Sequence, residues 1–172
     1  MTQPQAAASG VNWSRMLIYG LLPGLALVLA MLAGYLKWQD ASSRDADIAR
    51  SESVQAARDS AVALLSFRSD TVEKDVEAAR ARLTGQFRDT YTQVTREVLI
   101  PNAKERQVSA VAHVAAAASE SVAQNHAVVV LFADQAVTVG GFPPADTASS
   151  FRVTLDKMGG RWLVSGWDPI GA

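Results

Sequence analysis

The sequence predicts an α+β protein behind a single N-terminal membrane-spanning helix. Three observations carry this prediction: an uncharged apolar run from Met16 to Leu36, apolar residues at helical spacing across residues 48–106, and β-branched, alternating segments across residues 107–169.

The apolar run comes first. At ~1.5 Å rise per residue it covers the ~30 Å hydrocarbon core of a bilayer. Arg15 and Lys37 bracket it, and Trp13, Tyr19, Tyr35 and Trp38 lie near its ends, where amphipathic rings favour the membrane–water interface. A cleavable signal sequence has a shorter apolar region of ~7–15 residues followed by a small-residue cleavage site, so the length here indicates a retained anchor. Residues 1–15 are then a short polar tail, and 37–47 a juxtamembrane linker. Arg15 on one side against Lys37, Arg44 and Arg50 on the other would place the following domain inside. Asp40, Asp45 and Asp47 dilute that bias, and long domains translocate largely regardless of charge, so charge alone leaves the orientation open. Within the span, Ala26, Ala30 and Gly34 recur at every fourth position. Such a smooth stripe is a candidate docking face for another helix, set against the plain fact that Ala and Gly are common in spans.

Three amphipathic helices follow. Their apolar faces are Val54, Ala57, Ala61, Leu64 and Leu65; then Val72, Val76, Ala79 and Leu83; then Phe87, Tyr91, Val94 and Val98. Asp70 with Glu73 reads as a capping pair after "SFRSD", Thr84 as the cap before Gly85, and Pro101 as a break or kink after Ile100. The strands come last. "VSAVAHVAAAASES" predicts a strand from Val108 to Ala117 turning at Ser119–Ser121, "AVVVLFADQAVTV" a second, and "GGFPPADTASS" a loop. "FRVTL" and "WLVSGW" then form a hairpin around Gly159–Gly160. A two-residue turn there pairs Met158 with Arg161, Lys157 with Trp162, Leu155 with Val164 and Val153 with Gly166, and leaves Arg152 facing Trp167 as a cation–π pair.

Composition excludes several function classes. With 16 Lys+Arg against 17 Asp+Glu there is no basic surplus for phosphate backbones, which excludes nucleic acid as a partner. The absence of cysteine excludes disulfides, zinc–thiolate sites and cysteine nucleophiles. The two histidines, His113 and His126, lack the spaced companions that a metal site needs, so neither a metal nor a cofactor is expected. His113, in the alanine-rich strand, would serve as a general base only if it faced inward beside a carboxylate; His126 reads as a strand-entry residue in water. "EKDVEAARAR" is a solvated helix face. Trp167 and Asp168, at the end of the last strand, form a candidate partner or cone-mouth contact, the alternative being a strand terminator that stabilises the following turn.

The segments "LLSFRSDTVEKDVEAARARLTGQFRDTY", "PNAKERQVSA" and "GGRWLVSGWDP", in this order behind a span, resemble the Mce-associated membrane proteins of actinobacteria over most of the chain from Met16 onward. The resemblance implies a domain similar to the nuclear transport factor 2 fold, a cone of curved sheet closed by helices, over residues 48–172, with helices in 48–106 and sheet in 107–169. It further implies a cytoplasmic N-terminus, an extracytoplasmic C-terminal domain, and Mce and permease subunits of a lipid importer as partners. The expected role is non-enzymatic and accessory. The alternatives are a lipid-binding module with Val153, Leu155, Trp162 and Val164 lining the cone, and, less favoured, an isomerase or hydrolase of the same fold.

Overall fold

A computed structural model of the chain describes residues 22–171; the side chains at 22–29 and 32–44 lie outside the described residues. The chain divides into two units, Met1–Arg44 and Asp45–Ala172. The predicted tail and residues 16–21 of the predicted span lie outside the described residues, as do the side chains of Ala26 and Gly34; Ala30 is exposed. Among the described residues no helix is long and apolar enough to cross a membrane.

Helix α1 spans Leu22–Leu65, so the juxtamembrane segment 37–47 is helical. In the second unit it presents Ala49, Ser53, Ala57, Ser60 and Ala61, all buried, at helical spacing. These small side chains let the helix lie close against the sheet, where Ala57 and Ala61 join Val129, Leu131, Val153 and Leu155 in one apolar core. Ser53 is tolerated there because its hydroxyl donates to the Arg50 carbonyl at 3.1 Å.

Helix α2 (Val72–Arg80) buries Val72, Val76 and Ala79 as the spacing predicts. Its start differs from expectation. Asp70 pairs with Arg68, while the Asp75 carboxylate accepts from the Thr71 hydroxyl at 2.8 Å and the Arg68 N–H at 3.1 Å. Asp75, one turn in, thus ties the helix to the turn before it, while Glu73 pairs with Lys104 at 2.6 Å instead of capping. Helix α3 (Gly85–Val94) begins after Thr84, which occupies the capping position but turns its hydroxyl to the Met158 sulfur.

The apolar face of α3 runs through Phe87 and Tyr91 to Thr95, not to Val94 and Val98, which are exposed. A threonine can sit at that buried position because its hydroxyl donates to the Tyr91 carbonyl at 2.7 Å. The chain then widens into a π-helical turn, Thr95–Leu99, with the Ile100 N–H on the Thr95 carbonyl. Pro101 falls in the first turn of α4 (Ile100–Glu105), which continues directly from the π-helical turn. Where a break or kink was expected, the helix widens just before the proline and runs on through it. Val72, Val76 and Ala103 form a second cluster, to which Tyr91 also packs.

Four antiparallel strands follow in the order β1-β2-β3-β4: Val108–Val122, His126–Val139, Ala145–Met158 and Arg161–Pro169. Two sequence expectations are corrected. Strand β1 continues through Ser119–Ser121 instead of turning there, and the segment from Ala145 to Ser150 pairs with Val137 through Phe132 instead of forming a loop. In both places the long apolar strand β2 supplies ladder partners, and pairing overrides the weak intrinsic preference of Ala, Ser and Asp.

The last hairpin turns on Gly159 (φ +57°) and Gly160 (φ +79°), the doubly positive pattern of a type I′ turn. The predicted register holds from Met158–Arg161 to Leu155–Val164. A bulge between Thr154 and Leu155 then shifts it, giving Thr154–Gly166, Val153–Trp167 and Arg152–Asp168. Gly166 suits the shifted position, since a Cβ there would lie 3.2 Å from the Thr154 Cβ and press on that side chain. Each outer strand meets a segment of the helical half: Phe67 bridges Ala110 on β1, and Leu83 bridges Val164 on β4 in parallel.

Candidate interaction site

The sheet's inner face is filled. Val153, Leu155 and Val164 have no exposed surface and Trp162 is 8% exposed, and all four belong to the core beneath α1. The residues read as a cone lining are therefore packed against one another and against Ala57, Ala61 and Leu83.

Recognition features lie on the outside, where the β3–β4 hairpin reaches α1. Glu52 on α1 accepts from Lys157 Nζ at 2.7 Å and from the Trp162 indole N–H at 3.2 Å, through the same carboxylate oxygen. Lys157 also lies over the Trp162 ring, 5.3 Å from its centroid. These three side chains hold the hairpin against the helix. Lys157 first, then Trp162, keep the Glu52 carboxyl below its ordinary 4.5. Beside this clamp a groove of about 530 Å³ runs between α1 and β4, lined by Gln55, Ala56 and Asp59 on the helix side and by Arg82, Arg161 and Leu163 on the other.

A second polar pair closes the start of β2. His126 Nδ1–H donates to Asp156 at 2.7 Å, because an ionised carboxylate can only accept. The Ser165 hydroxyl, followed by His126, holds the Asp156 carboxyl below its ordinary 3.8. A group whose folded value is depressed stabilises the fold above its unfolded value, and loses that contribution as pH falls through the folded one. Thermal stability is therefore expected to hold between neutral pH and the ordinary carboxylate range and to fall below it, with Glu52→Gln removing part of the fall. Calorimetry across pH checks this; an unchanged pH profile in the variant would remove Glu52 from the account.

The other sequence candidates are placed as follows. Trp167 packs on Phe151, with centroids 4.8 Å apart, rather than under Arg152. The bulge sets Arg152 opposite Asp168, and Arg152 forms its ion pair with Glu120 at 2.9 Å. The expected Arg152–Trp167 cation–π pair is thus replaced by Lys157 over Trp162. Asp168 is exposed. His113 is exposed on the outer sheet face opposite Asp134, beside an open pocket of about 640 Å³ that Asp146 also lines, so it does not enter the core. Among the described residues no three potential ligands come together to hold a metal.

Glu52 escaped the sequence reading because its partner Lys157 is 105 positions away. The available signal was the aromatic and glycine content of "GGRW", which marks a hairpin tip and leaves its docking partner unspecified.

A family model described as "Uncharacterized protein Rv1363c/MT1408-like" matches residues 21–168. The chain belongs to this family. Among its relatives, the protein named outer membrane protein Rv1973 of Mycobacterium tuberculosis H37Rv is 59% identical over 160 residues, which are 93% of this chain and 100% of that protein. Among solved structures, the chain is similar to a periplasmic fragment of TraM (TM-score 0.59, 7% identity, 71% of this chain and 97% of that one). It is also similar to an IcmL-like type IV secretion system protein of Legionella pneumophila (TM-score 0.58, 8% identity, 69% and 91%). These likenesses concern the fold, a mixed helix and antiparallel-sheet domain of the kind found in periplasmic domains similar to nuclear transport factor 2.

Proposed function

We propose that this member of the Rv1363c/MT1408-like family is a non-enzymatic accessory protein of the cell envelope. It is held by the span Met16–Leu36 with its N-terminus in the cytoplasm, and its domain stabilises a membrane complex from the extracytoplasmic side. The observation that carries this reading is a domain whose inner sheet face is filled by its own side chains, while its polar clamp and groove face outward. A domain of this kind acts through its surface. The name of its relative Rv1973 supports the envelope location, and the fold shared with periplasmic fragments supports the extracytoplasmic side. Mce and permease subunits of a lipid importer are the proposed partners, on the strength of the sequence resemblance. A lipid carrier that uses Val153, Leu155, Trp162 and Val164 would have to open a core in which three of these four are fully enclosed.

The test is crosslinking in intact cells followed by affinity purification and mass spectrometry. The native chain is expected to recover Mce and permease subunits, and a chain with Ala26, Ala30 and Gly34 all changed to Leu is expected to lose them. Recovery of none of that machinery by the native chain would overturn the proposal.

A further inference from the structure

The β4 edge carries hydrogen-bonding groups that the domain itself leaves unused. At Val164 the edge is occupied: its N–H donates to the Arg82 carbonyl and its carbonyl accepts from the Thr84 N–H, both at 2.9 Å. In an antiparallel ladder, residues alternate between bonding their partner strand and pointing away from it. Trp162, two residues before Val164 and opposite Lys157, therefore also directs its N–H and carbonyl away from β3. No backbone partner meets them among the described residues. The segment at Arg82 does not extend along the edge to reach them, because the residues before it turn back into α2. The space beside Trp162 is the groove of about 530 Å³ described above.

The charges around that groove are also uneven. Arg82 and Arg161 both line it, and neither has a carboxylate partner among the described residues, where the ion pairs involve other cations. Of the two acids lining it, Glu52 is matched by Lys157 and Asp59 accepts from Gln55. The groove thus offers an unpaired donor and acceptor on a strand edge, with two unmatched guanidinium groups beside them. We propose that the β4 edge at Trp162 takes up an extended, carboxylate-bearing segment of a partner protein as an added strand, with Arg82 and Arg161 receiving its acids. Main-chain bonds supply the attachment and the arginines the preference. Residues 1–21 carry Arg15 and no acid, which makes them a poor occupant. The proposal rests on the accessory reading, which supplies the partner protein.

The full-length chain in lipid nanodiscs is tested against immobilised octapeptides of alternating Val and Thr in which none, one or two of the Thr are replaced by Glu. Two exposed ion pairs correspond to roughly a fivefold gain in retention from no Glu to two. The variant Arg82→Gln/Arg161→Gln keeps the Arg82 carbonyl that binds Val164 and is expected to hold the uncharged peptide while losing the response to Glu. Equal retention of all three peptides, no retention of any, or a Glu response that survives in the variant would each overturn the proposal. So would self-association of the native chain that the double substitution abolishes, which would assign the edge to a second copy. A flat peptide response with importer subunits still recovered from cells defeats strand addition alone. Loss of those subunits from the native chain defeats the accessory reading.

Discussion

Leu155→Ala is expected to cost the domain about 3 kcal/mol, the middle of the range for deleting a fully enclosed leucine. Leu155 has no exposed surface and stands between Ala127 on β2 and Val164 on β4. The alanine at 127 cannot grow to fill the space, and the fully buried residues that α1 contributes to this core, Ala57 and Ala61, have nothing to extend into it. Both features hinder collapse of the cavity, and the cost of such a deletion depends on how far the surroundings can collapse. Chemical denaturation of the full-length chain, followed by far-ultraviolet circular dichroism, measures the loss. A change under 1 kcal/mol would mean that the sheet relaxes around the missing side chain.

The opposite substitution at the same interface, Ala57→Leu, is expected to destabilise by about 2 kcal/mol through overpacking. Ala57 is fully buried where α1 lies on the sheet, and three added carbons there must push the helix away from Val129 and Leu155. This substitution also separates the two readings of the interior. A cone with an open lipid cavity would accommodate the larger side chain at little cost, and with weaker lipid retention if lipid were bound. A filled core would lose stability whether lipid is present or absent. Denaturation of the variant with and without an added fatty acid decides between them.

What could be read in the sequence was what depends on periodicity. The alternation of Val153 and Leu155 with Val164, together with the adjacent glycines, predicts the inner face and the turn of the last hairpin, because one side of a half-buried ribbon must be apolar. The bulge beyond Leu155 was not legible, since nothing before Gly166 announces an extra residue, and this one displacement moved Trp167 from beneath Arg152 to beside Phe151. The start of β3 was hidden for another reason. "ADTASS" has the composition of a loop and becomes a strand only because β2 runs alongside it. Thr95 illustrates a third kind of miss: periodicity counts apolar residues, and a threonine that bonds its own helix can take a buried place in the stripe. The clamp on the hairpin joins α1 to β3 and β4, and contacts at such separation leave no local trace.

The two sides of the sheet are finished differently. On β1, the Phe67 backbone exchanges bonds with Ala110 at 2.8 and 2.9 Å, and Ser66 Oγ accepts from the Ala112 N–H at 2.9 Å. Beyond that cover the alanine-rich remainder is interrupted by irregularities at Val114/Ala116 and at Ser119/Ser121. An uncharged, regular run of alanines on an outer strand would be a template for runaway sheet growth between molecules crowded on one membrane. Twisting the ladder out of register twice denies a neighbouring copy any long stretch of matched backbone. Protection against aggregation is thereby concentrated on the β1 side, where the Phe67–Ser69 segment covers the edge and the two irregularities interrupt the rest of it.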